Sequence, residues 1–363
     1  MTASENFANK VAELWNRVQS NEESVVERKQ ILNECDELNA NPEFASNGFL
    51  VAKVKLIQHK AGKVTDLSVL ATEFEEFARH QPSTDVWICL AETYLHEGKA
   101  ESAVSPLEYA QALGENADVL ILLSLCYRRL EKKDPQKSLD YAKQAVKLEM
   151  TNGKAWGNLG IALLSIAGHD NIVQASKAFK CAIKNGQQNN ADVMMNLGTV
   201  NELLLDFKEA IHCYEEAIRI AGQWQVAVDS VSRVQSRLDS VMARAELIPK
   251  IRPSKKNKLL QRITADDEYL VVEAPFPMED PSQIILCMNN KSEVFAFGII
   301  KTMRAYVIPE KSVLKMPTPE FVNLEIKDKQ IKYYVIDDMR KVKILHGATP
   351  ADVPPVSISS SIA

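Results

Sequence analysis

The chain has 363 residues, 46% of them hydrophobic and 25% charged, with a formal net charge of -5. That length gives room for two or three domains, each with its own core. The acidic balance argues against a generally basic nucleic-acid binder, but leaves a local basic patch open.

The amino terminus, "MTASENFANK", lacks the apolar region of a secretory signal. The longest apolar run, Val119 to Tyr127, is far too short to cross a bilayer. The Asn290-Lys291-Ser292 sequon is therefore not expected to carry a glycan. Cys35, Cys89, Cys126, Cys181, Cys213 and Cys287 show no C-x-x-C spacing, and most read as small buried hydrophobes. The expectation is a reduced protein of cytoplasm or nucleus with no membrane partner.

Residues 1–80 read as helical but irregular. Ala71, Phe74 and Ala78, ahead of Pro82, suit the second helix of a diverged repeat. From residue 81 the chain repeats itself. Trp87-x-x-Leu90-Ala91-x-x-Tyr94 is followed by Gly98, Ala103, Leu107 and Ala110. Trp156-x-x-Leu159-Gly160 leads to Ala175, Phe179 and Ala182, and Met194-x-x-Leu197-Gly198 leads to Ala210, Tyr214 and Ala217. A weaker copy begins Leu120-x-x-Leu123-Ser124-x-x-Tyr127. Starts 33, 36 and 38 residues apart match the tetratricopeptide pattern of two helices per unit. The pattern is degenerate at Leu163 and Asn201, where tyrosine is usual, and extra residues separate the helices of the second and third copies.

The repeat explains a contradiction in "GKAWGNLGIALL". Three glycines in twelve residues oppose a helix, each costing about 1 kcal/mol. The small residue after the repeat leucine (Ala91, Ser124, Gly160, Gly198) predicts close approach of the paired helix, where dispersion offsets that cost.

An amphipathic helix over 223–247, with Trp224, Val228, Val231, Val234, Leu238 and Val241 on one face, is expected to cap the array. "LIPKIRPSKKNK" then brings two prolines and five cations without an acid, a basic linker over 248–261. Beyond it the period becomes alternating: "IILCMNN", "VFAFGII", "RAYVIPE" and "FVNLEIKDKQIKYYVID" read as strands, with Asp328-Lys329-Gln330 at one hairpin tip. The fold class expected is α+β multidomain, an all-α tetratricopeptide superhelix over 81–222 followed by a small all-β OB-fold barrel over 262–347. Residues 348–363 read as a disordered tail.

No H-E-x-x-H, G-x-S-x-G or phosphate-loop motif is present, so neither an enzyme nor a cofactor is expected. His212 and Cys213 are sequence neighbours and would point about 100° apart on a helix. The repeats instead arrange polar residues. Lys154 and Asn158 share one helical face, and Asp192 and Asn196 hold the same two offsets in the next unit; Asp85 and Asp118 take the first of them. An inner groove lined this way suits an extended peptide with neighbouring acidic and basic side chains. The asparagine amides would meet its backbone. The plain alternative is a solvated helical surface. Lys250, Arg252, Lys255, Lys256 and Lys258 have three readings: linker, nuclear import signal, or phosphate-backbone contact. Residues 262–346, with 12 basic and 13 acidic side chains, are a poor nucleic-acid platform, and Phe295 and Phe297 read as core.

This order of parts resembles the tetratricopeptide repeat protein 5 (Strap) family, from about Trp87 to Gly347. The likeness is clearest in "GKAWGNLGIALL", "FKEAIHCYEEAIRI", "VFAFGII" and "RAYVIPE". The resemblance implies a non-enzymatic adaptor that recognises the Met-Arg-Glu start of nascent α- and β-tubulin on ribosomes and triggers tubulin mRNA decay through a decay adaptor. It also implies a stress-responsive transcription cofactor and a partner of an actin-nucleating factor. Carried over by position, Lys154 would hold the peptide's glutamate, Asp192 its arginine, and Lys255, Lys256 and Lys258 ribosomal RNA. A lysine at the first of these lacks the two-pronged grip of the arginine that the family can place there.

Overall fold

The computed structural model describes residues 3–19, 25–166, 168–222, 224–273, 282–300, 305–306, 308, 310–316, 320–326, 329–336, 342–346 and 352–353. Helices α1 (Ala3–Gln19), α2 (Val25–Asn39) and α3 (Pro42–Ala45) precede a hairpin of α4 (Gly48–Lys60) and α5 (Leu67–His80). Ala71, Phe74 and Ala78 are buried on α5, and Ala52 and Leu56 of α4 share a core with Ala71 and Phe74.

Four further hairpins follow: α6 (Thr84–His96) with α7 (Ala100–Leu113), α8 (Ala117–Arg129) with α9 (Pro135–Leu148), α10 (Gly153–Leu164) with α11 (His169–Ala182), and α12 (Ala191–Leu203) with α13 (Phe207–Ala221). A Cβ on Gly160 would lie 2.7 Å from the Phe179 ring, and one on Gly198 would lie 2.6 Å from Tyr214. Those glycines let the two helices of a hairpin touch. A π-type turn, Ile183–Gln187, follows α11 and turns at Gly186, whose φ is +96°.

The last long helix, α14 (Gln225–Ala245), does more than cap. Its buried line is Ala227, Ser230, Val234, Leu238 and Met242; Val228 is exposed, and Val231 and Val241 are half-buried. The expected stripe is displaced because α14 is buried by two partners. Val234, Leu238 and Met242 share one core with Phe207, Ala210 and Tyr214 of the array and with Leu270, Leu286, Met288, Ala296 and Tyr333 of the sheet. After a 3-10 turn at Ile248–Lys250, the expected linker is instead largely a helix, α15 (Pro253–Leu260). Pro253 stands in its first turn, where its missing N–H costs nothing.

The C-terminal part is one mixed sheet in the order β6-β7-β3-β2-β1-β5-β8. Its strands are β1 (Glu268–Glu273), β2 (Ser282–Met288), β3 (Val294–Ile300), β5 (Val313–Lys315), β6 (Val322–Ile326), β7 (Lys329–Ile336) and β8 (Lys343–His346). Two short strands, β4 (Ala305–Tyr306) and β9 (Asp352–Val353), pair separately, so Asp352 and Val353 of the tail expected to be disordered are held in a strand pair. The rest of that tail lies outside the described residues. The expected OB barrel is not what the described residues form. β1 bonds β2 on one side and β5 on the other, so no flank of β1 is left to close against β6, and β6 and β8 remain edges. Lys329 and Gln330 belong to β7; the turn itself, with Asp328, lies outside the described residues. Phe295 and Phe297 are buried in an aromatic core with Tyr269 and Phe321, as their spacing suggests.

Candidate functional site: a channel along the inner helices

Capping chemistry sets the register of this face. Asn152 Oδ1 accepts from the N–H groups of Lys154 and Ala155 at 3.0 and 3.2 Å, and Asn190 Oδ1 does the same for Asp192 and Val193. Asn116 and Ser83 cap α8 and α6. Each cap places the second residue after it, Asp85, Asp118, Lys154 or Asp192, in the first turn of successive inner helices. Aspartate suits that place because its charge complements the positive helix end. Lys154 has the opposite sign.

Electrostatics couples Lys154 to Asp118 of the preceding inner helix. Burial lowers the Lys154 ammonium below its ordinary range; the Asp118 carboxylate opposes that, and Lys60 and Glu92 also act on it. Burial raises the Asp118 and Asp192 carboxyls, although both side chains meet water.

The asparagines do not do what their spacing suggests. Asn158 is only 7% exposed, and its Oδ1 accepts from Arg128 Nη2 at 2.9 Å, so that acceptor is not offered to a ligand. Asn196 donates to the Asp192 carbonyl of its own helix at 2.8 Å.

Arg128 is the residue that sequence reasoning missed. It is 9% exposed and bonds Ser124 Oγ at 2.9 Å and Ser138 Oγ at 3.3 Å, besides Asn158. Among the described residues no carboxylate pairs with it, and neither its Nε nor Asn158 Nδ2 has a hydrogen-bond partner. Burial, with the charge of Arg129, pushes the guanidinium down to about 10. A buried cation without a counter-ion costs several kcal/mol. Glu202, at the same offset in the fourth unit, shows the usual solution: Arg233 Nη2 lies 2.8 Å away and the Tyr214 hydroxyl donates at 2.9 Å. The sequence did hold a signal, a cation eight residues after Leu120 where the other units place Leu95, Leu164 and Glu202.

The inner face beside α4 and α6 is covered by the chain itself. Trp15 of α1 packs against α4 and α6, with Lys53 and Lys60 ammoniums 5.0 and 4.9 Å from its ring. Gln19 Nε2 donates to Glu92 Oε1 at 2.6 Å, and Lys60 lies 2.6 Å from the other oxygen. The inner face that α1 leaves uncovered runs from α8 onward.

Lys255 and Lys258 are exposed and Lys256 half-buried on α15, which Ile251, Leu259 and Leu260 anchor to the core shared with α14. The structure does not bring them to Lys154 and Asp192. The Cys213 thiol is buried, takes a bond from Asn201 at 3.6 Å and is pushed up to about 11 by burial. Among the described residues no group of three metal-ligating side chains occurs, and no helix is long and apolar enough to cross a membrane.

No family model matches the sequence, and comparison with curated proteins returned no match. Among solved structures, the APC/C hetero-tetramer Cut9–Hcn1 aligns at a TM-score of 0.50 and 17% identity, over 63% of this chain and 42% of that one. YrrB, described as a TPR protein with an unusual peptide-binding site, aligns at 0.36 and 16% identity, over 60% and 96%. A thermophilic TPR protein of Thermus thermophilus aligns at 0.39 and 17% identity, over 47% and 90%. The alignment with Cut9–Hcn1, spanning less than half of that chain, concerns fold alone. With the repeat and its hairpins, it defines the helical part as a tetratricopeptide-type array.

Proposed function

We propose that this chain is a non-enzymatic adaptor whose inner channel holds a short extended peptide with adjacent acidic and basic side chains. The observation that carries the reading is Arg128, a buried guanidinium without a carboxylate partner among the described residues, beside a wall that already bears Lys154. A ligand carboxylate would supply the missing counter-ion, and Asp192 would receive the ligand's cation. Charge-assisted hydrogen bonds worth about 1.5–3 kcal/mol each, less peptide ordering, suit micromolar binding.

The finer reading follows the family resemblance: the ligand is the Met-Arg-Glu start of nascent α- and β-tubulin at the ribosome, and its capture leads through a decay adaptor to tubulin mRNA decay. The filled channel end at α1 supports a ligand that enters by a chain terminus rather than an internal segment. The basic helix α15 would hold ribosomal RNA, which raises the local peptide concentration and hence avidity. The meander β1-β2-β3 followed by parallel β7 and antiparallel β6 supports an opened OB-type sheet. Exposed lysines on α15 also suit nuclear import, so the proposed location is cytoplasm and nucleus. There the second reading applies, a stress-responsive scaffold for transcription coactivators or an actin-nucleating factor.

The test is fluorescence anisotropy of a labelled Met-Arg-Glu-Ala peptide with the full chain. Arg128→Ala and Lys154→Glu should each weaken binding about tenfold or more. Arg128→Met, which keeps the volume and drops the charge, should also lose the peptide while the chain remains folded. Equal affinity for the Arg128→Met and unaltered chains would refute the assignment.

A further inference from the structure

A cavity of about 700 Å³ lies between α1 and α2, and none of its lining residues belongs to the inner channel. That volume is in the range of small-molecule sites. The α1 wall carries two cations, and both are already committed. Lys10 Nζ lies 2.6 Å from Glu34 and 3.3 Å from Glu13, and Arg17 Nη1 lies 2.9 Å from Glu34.

The α2 wall is different. Asn33 and Glu37 are four residues apart, hence on one face, and both are exposed. Among the described residues neither has a hydrogen-bond or ion-pair partner. The lining thus sets three carboxylates, Glu13, Glu34 and Glu37, against Lys10 and Arg17. The excess charge is negative and sits at Glu37. Leu38 beside it is half-buried, and so is Phe7 on the facing helix, whose ring meets Phe44 edge-on at 5.5 Å. One cavity therefore holds an uncommitted acid, an amide oxygen and a short apolar wall.

We infer that this cavity binds a small amphipathic amine, a protonated primary amine on an aliphatic stem. The ammonium donates to the Glu37 carboxylate and to Asn33 Oδ1, and the stem lies on Phe7 and Leu38. A compact ammonium suits this pair because its three N–H groups can serve both acceptors. An anion is disfavoured, since Glu13 and Glu34 already neutralise the two cations. The site does not depend on the peptide reading of the channel.

The test is nuclear magnetic resonance of the full chain labelled with nitrogen-15 asparagine. The side-chain amide of Asn33, identified by its loss in Asn33→Ala, is followed during titration with hexylamine, ethylamine or hexanoate at neutral pH and fixed ionic strength. Hexylamine should give a saturable shift and bind about tenfold more tightly than ethylamine, because its additional methylenes partly leave water. Hexanoate should give no saturable shift. Glu37→Gln, an exposed substitution, should weaken hexylamine about three- to fivefold. Absence of a saturable hexylamine shift, an equal response to hexanoate, equal affinity for the two amines, or unchanged hexylamine affinity in Glu37→Gln would each overturn the site.

Discussion

Gly198 shows how a single residue is decided by what stands opposite it. The Tyr214 ring occupies the space a Cβ would need, and that ring cannot swing away because its hydroxyl is bonded to Glu202. Gly198→Ala gains about 1 kcal/mol of helix propensity but overpacks a fully buried pair, which costs about 1–3 kcal/mol. A net loss near 1 kcal/mol is expected, read as a lower urea midpoint with an unchanged m value; a gain in stability would refute the close-packing account. This part of the site region was legible in the sequence, because small residues recur at one offset. Arg128 was not, because its meaning depends on Ser138 and Asn158, 10 and 30 residues away, and on the absence of an acid beside it among the described residues.

At the scale of elements, the turn between α12 and α13 repeats the turn between α6 and α7 with one substitution. Lys99 N–H bonds the Tyr94 carbonyl at 2.8 Å, and Asp206 N–H bonds that of Asn201 at 2.8 Å. Gly98 takes the left-handed position in the first turn with φ of 78°; Leu205 takes it in the second with φ of 62°. A non-glycine residue there costs about 1–2 kcal/mol. The offset is visible in the sheet: Leu205 is 1% exposed, a Cβ on Gly298 of β3 would lie 2.7 Å from its Cδ1, and its carbonyl accepts from the Tyr333 hydroxyl of β7 at 3.3 Å. The array is thereby plugged into the sheet. Leu205→Ala should destabilise the joint by about 2–4 kcal/mol. Far-ultraviolet dichroism of the helices and near-ultraviolet signals of the sheet aromatics should then separate into two transitions, where the unaltered chain shows one. Coincident transitions in the variant would show that the plug is dispensable.

Across the whole molecule, α14 joins the tetratricopeptide array, the sheet and the basic helix α15 through one core. Replacing Lys255, Lys256 and Lys258 with glutamate should therefore leave Met-Arg-Glu-Ala affinity within about twofold, since exposed charges so placed are screened by salt. It should remove the salt-sensitive fraction of the protein that cosediments with ribosomes. Loss of peptide binding in that variant would mean the two surfaces are not separate. What the amino-acid sequence determined alone was the repeat, the offsets shared by the first-turn residues of its inner helices, and the change to strands after residue 261. Each of these follows from periodicity and side-chain chemistry within a few residues. Tertiary structure alone decided that α1 covers the inner face beside α4 and α6, that Arg128 has no carboxylate partner among the described residues, that α14 packs on both array and sheet, and that the sheet of the described residues stays open. Those outcomes depend on which distant surfaces meet, and local propensity carries no information about that.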